Sequence, residues 1–119
     1  MLRFWRATIN SYNGLAFAIR SEQAIREEVV ALLIALPLAW LIGTTAIRTI
    51  ELVATVLFVL AIELLNTAIE KLADRLTTDH DLQIGRVKDL GSAAVGVALI
   101  VGGLFWLFAI AERIGVISS

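Results

Sequence analysis

Residues 52–75 read LVATVLFVLAIELLNTAIEKLADR, an apolar run that passes without interruption into Glu63, Asn66, Glu70 and Asp74. Spacings of three, four and four residues put these four side chains in one narrow stripe of an α-helix. A helix greasy at one end and striped with acids at the other predicts a segment that runs from hydrocarbon into water.

The composition agrees. Of 119 residues, 59% are hydrophobic and 18% charged, and the mean hydropathy is +0.86. That balance is too apolar for a small water-soluble domain and typical of a membrane protein. The net charge of −1 gives no basic excess for a nucleic-acid partner. Cysteine is absent, which excludes disulfides, thiolate metal sites and cysteine nucleophiles.

Three segments are long enough to cross a bilayer core, which takes roughly 20 helical residues. Residues 29–47 and 90–111 carry no charge, and residues 52–69 carry only Glu63 near their end. We expect an all-α membrane protein, a single domain over residues 1–119 with transmembrane helices at 29–47, 50–76 and 90–112. Pro37 lies inside the first, at a tolerable cost in lipid. Arg3, Arg6, Arg20, Arg26, Lys71, Arg75, Arg86 and Lys88 gather on one side of the spans, against Arg48 and Arg113 on the other. The imbalance predicts a cytoplasmic N-terminus, a cytoplasmic second connection and a C-terminus on the outer side of the membrane. Leu15 to Ile19 is too short an apolar core for a cleavable signal.

Residues 1–26 show a different pattern. Trp5, Ile9, Tyr12, Ala16 and Ile19 share one helical face, with Arg3, Arg6, Asn10 and Asn13 opposite. An amphipathic helix lying in the membrane interface is expected. A short connection at 48–51 predicts a hairpin of the first two spans, and a longer polar connection covers 77–89. Ala94, Ala98 and Gly102 recur every four residues in the third span, a spacing that lets helices approach closely. Trp5, Trp40 and Trp106 read as interface anchors or lipid-facing bulk. Three spans have little means of covering the acidic stripe, so a homo-oligomer is expected.

A carboxylate at mid-span costs roughly 2.5–3.5 kcal/mol on an insertion scale. Glu63, only a short way inside, suits a general base. Glu70 and Asp74, further toward water, offer oxygen ligands to a hard cation, and Glu22, Glu27 and Glu28 stand at the same expected level as Glu70. Solvated or ion-paired acids, or an ion pathway, are the alternatives. No GxxxxGK[ST] or GxGxxG is present. His80, between Asp79 and Asp81, reads as a surface histidine.

The pairing of IELLNTAIEKLADR (62–75) with GRVKDLGSAAV (85–95) closely resembles the prokaryotic diacylglycerol kinase family, small integral-membrane lipid kinases, over nearly the whole chain. The resemblance implies a homotrimer of helical bundles with composite sites between subunits. It also implies transfer of phosphate from MgATP to the primary hydroxyl of diacylglycerol, giving phosphatidic acid in phospholipid metabolism. On the matching positions, Glu63 looks like the base and Asn66 a residue orienting it. Glu22 and Glu70 look like ligands of Mg²⁺. Arg3, Tyr12, Asp79, His80, Lys88 and Asp89, with Glu22 and Glu70, match the nucleotide site. Ser11, Glu28, Ser92 and Glu63 match positions at the lipid substrate.

The chain departs from the family pattern at 80–86, HDLQIGR, where the family commonly has H-x-x-S-G; the histidine comes one place early and Ile84 replaces the serine. Asn13 stands where a lysine occurs. Undecaprenol kinase, on the same fold, is the alternative substrate class, although Gly91-Ser92-Ala93-Ala94-Val95 resembles the diacylglycerol form. A non-enzymatic membrane protein is the remote one.

Overall fold

The computed structural model describes residues 1–117, and their regular secondary structure is helical throughout. Four helices follow in order: α1 (Leu2–Ser21), α2 (Gln23–Ile42), α3 (Ala46–Leu76) and α4 (Leu82–Arg113). At about 1.5 Å per residue, the 31 residues of α3 and the 32 of α4 account for most of the 53 Å long axis.

The junction of α1 and α2 is a single extended residue, Glu22 (φ −121°, ψ 117°). Arg26 closes it: its Nη1 donates to the carbonyls of Ile19 and Arg20, both at 3.0 Å, occupying acceptors that the end of α1 leaves free. The surface helix expected over 1–26 therefore stops at Ser21, and residues 23–28 are the first turns of α2.

At the other end of α2, the apolar run expected to continue to residue 47 is cut at Ile42. A Cβ on Gly43 would fall on the Thr49 hydroxyl and within 2.9 Å of the Ala39 carbonyl oxygen and the Thr49 amide, so the tight turn needs glycine. Thr45 then caps α3, its hydroxyl accepting from the Arg48 amide at 3.1 Å. The hairpin thus turns at 43–45, ahead of the expected 48–51. The long polar connection shortens similarly. Asp81 caps α4, accepting from the amides of Gln83 and Ile84 at 2.9 and 3.1 Å, so only 77–81 remain outside helix and residues 82–89 are helical.

α3 is the central element, packed chiefly on α4 and next on α2, while α1 touches mainly α2. Gly91, Ala98, Gly102 and Ala109 are the small buried residues of α4. A Cβ on Gly102 would meet Thr55 and Val59 of α3 at ordinary distances, so the α3–α4 seam is close along much of its length. Ala94, grouped with Ala98 and Gly102 in the sequence pattern, is exposed and lines an open groove between α3 and α4 beside Gly91. Trp106 is no lipid-facing anchor: its Nε1 donates to the Thr55 hydroxyl at 3.0 Å, and its ring packs against the buried cluster of Ala39, Leu52 and Ala109. A second cluster, Ala18, Ile25 and Leu60, secures the end of α1.

Across the far end of the bundle, Arg48 Nε donates to Glu112 Oε1 at 2.7 Å and Nη2 to Oε2 at 3.3 Å. Arg48 Nη1 also reaches Glu51 at 3.1 Å, and the guanidinium lies 4.7 Å from the centre of the Phe108 ring.

Among the described residues two helices, α3 and α4, are long and apolar enough to cross a membrane. Only 22% and 17% of their most apolar stretches are buried, unlike the core helices of a water-soluble protein. The 20 residues of α2 include Arg26, Glu27 and Glu28, which keeps it short of the same measure.

Candidate functional site

The polar end of α3 meets the start of α2 and the start of α4. Along α3, the stripe divides by environment. Glu63, Asn66 and Glu70 are half-buried, whereas Asp74 is exposed. Asn66 Nδ2 donates to Glu70 Oε1 at 3.1 Å, the i, i+4 contact that the helical spacing dictates. This bond leaves Glu70 acceptor capacity for another partner. The Asn66 Oδ1, on the opposite side of the amide, is buried and has no hydrogen-bond partner. It faces Gly91 of α4 so closely that a Cβ there would overlap it.

The α1–α2 junction and the start of α2 bring two more carboxylates to this end. Glu22 pairs with Lys71 Nζ at 2.7 Å, which puts it beside the residue following Glu70. Glu28 is near enough to Glu63 to feel its charge: burial first, and then the Glu63 carboxylate, push the Glu28 carboxyl up from its ordinary 4.5. Lys71 also lies 5.2 Å from the centre of the Phe17 ring on α1, so one lysine ties α1, the α1–α2 junction and α3 together.

Beside Lys71 an open groove of about 570 Å³ separates α1 from α3. Leu15 and Phe17 line one wall and Leu60, Leu64 and Ala68 the other, with Ser11 at its edge. Its apolar lining and open side suit an acyl chain entering laterally. A smaller cleft, about 320 Å³, lies in the 77–81 connection and is lined by Asp79, His80, Asp81, Gly85 and Lys88. Three of the residues matched to the nucleotide thus share one concavity. Lys88 is not free there, because its Nζ pairs with Asp74 Oδ1 at 2.6 Å.

The remaining expected residues are less gathered. Arg3 and Tyr12 stand exposed on α1, and Asp89 and Ser92 are exposed on α4. Among the described residues no hydrogen bond or ion pair joins any of them to the acids of α3. Nor do three or more acidic or histidine side chains draw together into a metal cage there. Two carboxylates beside open solvent, Glu22 and Glu70, are still the donor set that Mg²⁺ takes, since it binds through one or two carboxylates and completes its shell with water and substrate phosphates. By donor chemistry the two carboxylates suit the ion, and in this arrangement Glu22 is paired with Lys71.

The sequence left Arg26, Lys71 and Arg75 open as partners of the interfacial acids, and the structure seats Lys71 on Glu22. Two other participants were missed. Asp81 read as a flank of His80, yet it is the cap that starts α4; Asp followed by an apolar helix was the available signal. Gly91 was noted only within its motif.

Comparison with known proteins decides the kinship. The profile of the prokaryotic diacylglycerol kinase family matches residues 9–110. The chain belongs to the prokaryotic diacylglycerol kinase family. A diacylglycerol kinase from Haemophilus influenzae is 41% identical over 100 residues, 84% of this chain and 85% of the relative. One from Escherichia coli K12 is 37% identical over 113 residues, 95% and 93% of the two chains. One from Pseudomonas aeruginosa is 36% identical over 104 residues, covering 87% and 85%. The prokaryotic diacylglycerol kinase family makes the chain an enzyme, a kinase of lipid metabolism. Together with the two exposed apolar helices, membership marks it as an inner-membrane protein.

Proposed function

We propose that the chain transfers the γ-phosphoryl group of ATP to the primary hydroxyl of diacylglycerol, yielding phosphatidic acid and ADP, where α3 passes from lipid to water. The observation that carries this reading is the graded stripe of α3. Glu63 is half-buried toward the apolar end, Asn66 is bonded to Glu70 one turn on, and Glu22 is held alongside through Lys71. A base for a lipid hydroxyl must act at hydrocarbon depth, while nucleotide and metal must stay in water; one helical face serves both.

In this reading the diacylglycerol chains lie in the α1–α3 groove and the hydroxyl approaches Glu63. Glu63 takes the hydroxyl proton, the oxygen attacks the γ-phosphorus in line, and ADP leaves from the opposite side. Glu28 and Ser92 flank the acceptor, with Ser11 at the groove edge. Glu22 and Glu70 hold Mg²⁺, which when bound neutralises charge on the phosphates. Asn66 keeps Glu70 oriented, and Lys88, Asp89, Asp79 and His80 line the nucleotide's approach. Positioning and charge neutralisation are the main demands of phosphoryl transfer.

We further propose three spans, formed by the apolar parts of α2, α3 and α4, with α1 on the cytoplasmic interface and the C-terminus in the periplasm. A homotrimer with sites shared between neighbours completes the reading. Two features support it: the broad exposed apolar faces of α3 and α4, and the separation of Arg3, Tyr12, Asp89 and Ser92 from the acids within one chain.

The test is ATP-dependent phosphorylation in lipid-containing micelles, with diacylglycerol and undecaprenol offered separately to wild type and to Glu63→Gln. Turnover of diacylglycerol that the variant loses is expected. Preference for undecaprenol would keep the chemistry and replace the substrate; full activity in the variant would remove Glu63 from the role of base.

A further inference from the structure

We infer that Gly91 is a positioning residue for the reaction: its bare Cα is the seat that holds the Asn66 amide turned toward Glu70. The inference rests on the site reading above and adds a residue of α4 to it.

The geometry is specific. Gly91 is buried on the α3–α4 seam, and the nearest atoms to a Cβ built on it all belong to Asn66: Oδ1 in overlap, Cγ at 3.2 Å and Cβ at 3.9 Å. No atom of another side chain comes nearer than these three. The notch therefore fits one side chain rather than the helix as a whole. By contrast, a Cβ on Gly102, further along the same seam, would meet only ordinary contacts with Thr55 and Val59.

The chemistry of the amide completes the case. Glu70 as a carboxylate only accepts, so the group facing it must be the Asn66 NH₂, and Oδ1 must point the other way, into α4. That oxygen is buried and finds no conventional donor. An orphaned buried acceptor is unfavourable, and an amide free to turn would seek a donor elsewhere. Gly91 offers close approach and a Cα–H to lie against the oxygen, while leaving the NH₂ end on Glu70.

A methyl group at Gly91 meets the far end of a short rotatable side chain, not backbone. The amide can yield by turning, and in turning it leaves Glu70. Gly91→Ala should thus keep the helices packed and disturb the Asn66–Glu70 pair, through which Glu70 is presented to metal and nucleotide.

The test combines a double-substitution cycle with a direct probe of the amide. Wild type, Gly91→Ala, Asn66→Ala and the double variant are compared for kcat, for Mn²⁺ affinity in the presence of a non-hydrolysable ATP analogue, and for thermal midpoint. The Asn66 side-chain NH₂ resonances are followed by NMR and assigned by their loss in Asn66→Ala. Expected are shifted NH₂ resonances in Gly91→Ala, a fall in kcat of about tenfold or more with weakened Mn²⁺ binding, and no further loss when Gly91→Ala is added to Asn66→Ala. If Gly91→Ala alone fails to fold, a double variant that folds supports the seat, and one that does not overturns it. Unmoved resonances, or an equal loss from Gly91→Ala in both backgrounds, would also overturn it. Full activity in Asn66→Ala would remove the role of Asn66 and this inference together, and would leave the kinase reading intact; absence of turnover in wild type would strike that reading instead.

Discussion

The guanidinium of Arg48 grips the Glu112 carboxylate from 64 residues away in the chain, Nε to Oε1 at 2.7 Å, and only 2% of the Glu112 side chain is exposed. Removing the arginine would leave a buried charge without its partner. Removing the charge of Glu112 leaves Arg48 still paired with the partly exposed Glu51. Breaking one side of a buried pair costs most when the orphan cannot reach water. Arg48→Ala is therefore expected to lower the thermal midpoint more than Glu112→Gln does, and the reverse order would count against the clasp.

Two substitutions on α3 should fail in opposite ways. Glu63→Gln is expected to lower kcat at least about 100-fold while binding of the Mn²⁺–nucleotide complex is unchanged. Glu70→Gln should weaken that complex, raising the KM for ATP. Equilibrium binding with a non-hydrolysable analogue separates the two, and the same pattern in both would erase the distinction between base and ligand.

Glu28 supplies a pH dependence of defined sign. Its carboxyl is pushed above 4.5, chiefly by burial and next by Glu63. Below 4.5 the proton is held in both folded and unfolded chains. As pH rises from there to the raised native value, the unfolded chain releases it first, so this group's contribution makes stability fall through the window and stay lower above it. Glu28→Gln should flatten that fall and raise the midpoint at neutral pH. Thermal unfolding in detergent from pH 4 to pH 8 checks it; a variant less stable at neutral pH would reverse the sign.

Trp106→Phe removes the indole donor to Thr55 while Thr55 keeps its bond to the Leu52 carbonyl at 2.7 Å. The expected loss is about 1 kcal/mol or less, the range for one interhelical hydrogen bond in a membrane bundle. A chemical denaturation series would detect a larger cost, which would mean that ring packing against Ala39, Leu52 and Ala109 matters more than the bond.

Periodicity carried the sequence reading a long way and then stopped at definite points. The stripe of α3 was legible because an i, i+4 relation is fixed by the helix itself, and the Asn66–Glu70 bond follows from it. The turn at 43–45 was not, since Gly43 and Thr45 reveal themselves only when the helices they join are side by side. The start of α4 was misjudged because 82–89 is polar, although Asp81 is an ordinary cap. Relations across the bundle, such as Lys71 to Glu22, Asn66 to Gly91 and Arg48 to Glu112, join residues tens of positions apart and leave no mark in local spacing. The gathering of Asp79, His80 and Lys88 into one cleft depends on the sharpness of the 77–81 connection, which composition does not specify.

α4 is fastened to α3 along its length, by Lys88 on Asp74, the Asn66 notch at Gly91, Trp106 on Thr55 and the Arg48 clasp at Glu112. Gly91 and Glu112 stand 21 positions apart, just under six helical turns, so the two fastenings lie on the α3-facing side of α4 about 60° apart. Spinning the rod would drive the next side chains into the notch, and sliding it would drag a buried carboxylate off its guanidinium. Adjustment at the polar end must then fall to the five residues 77–81, which lie beyond the last fastening. The cleft holding His80 and Asp79 thus hangs at the open end of an indexed axle.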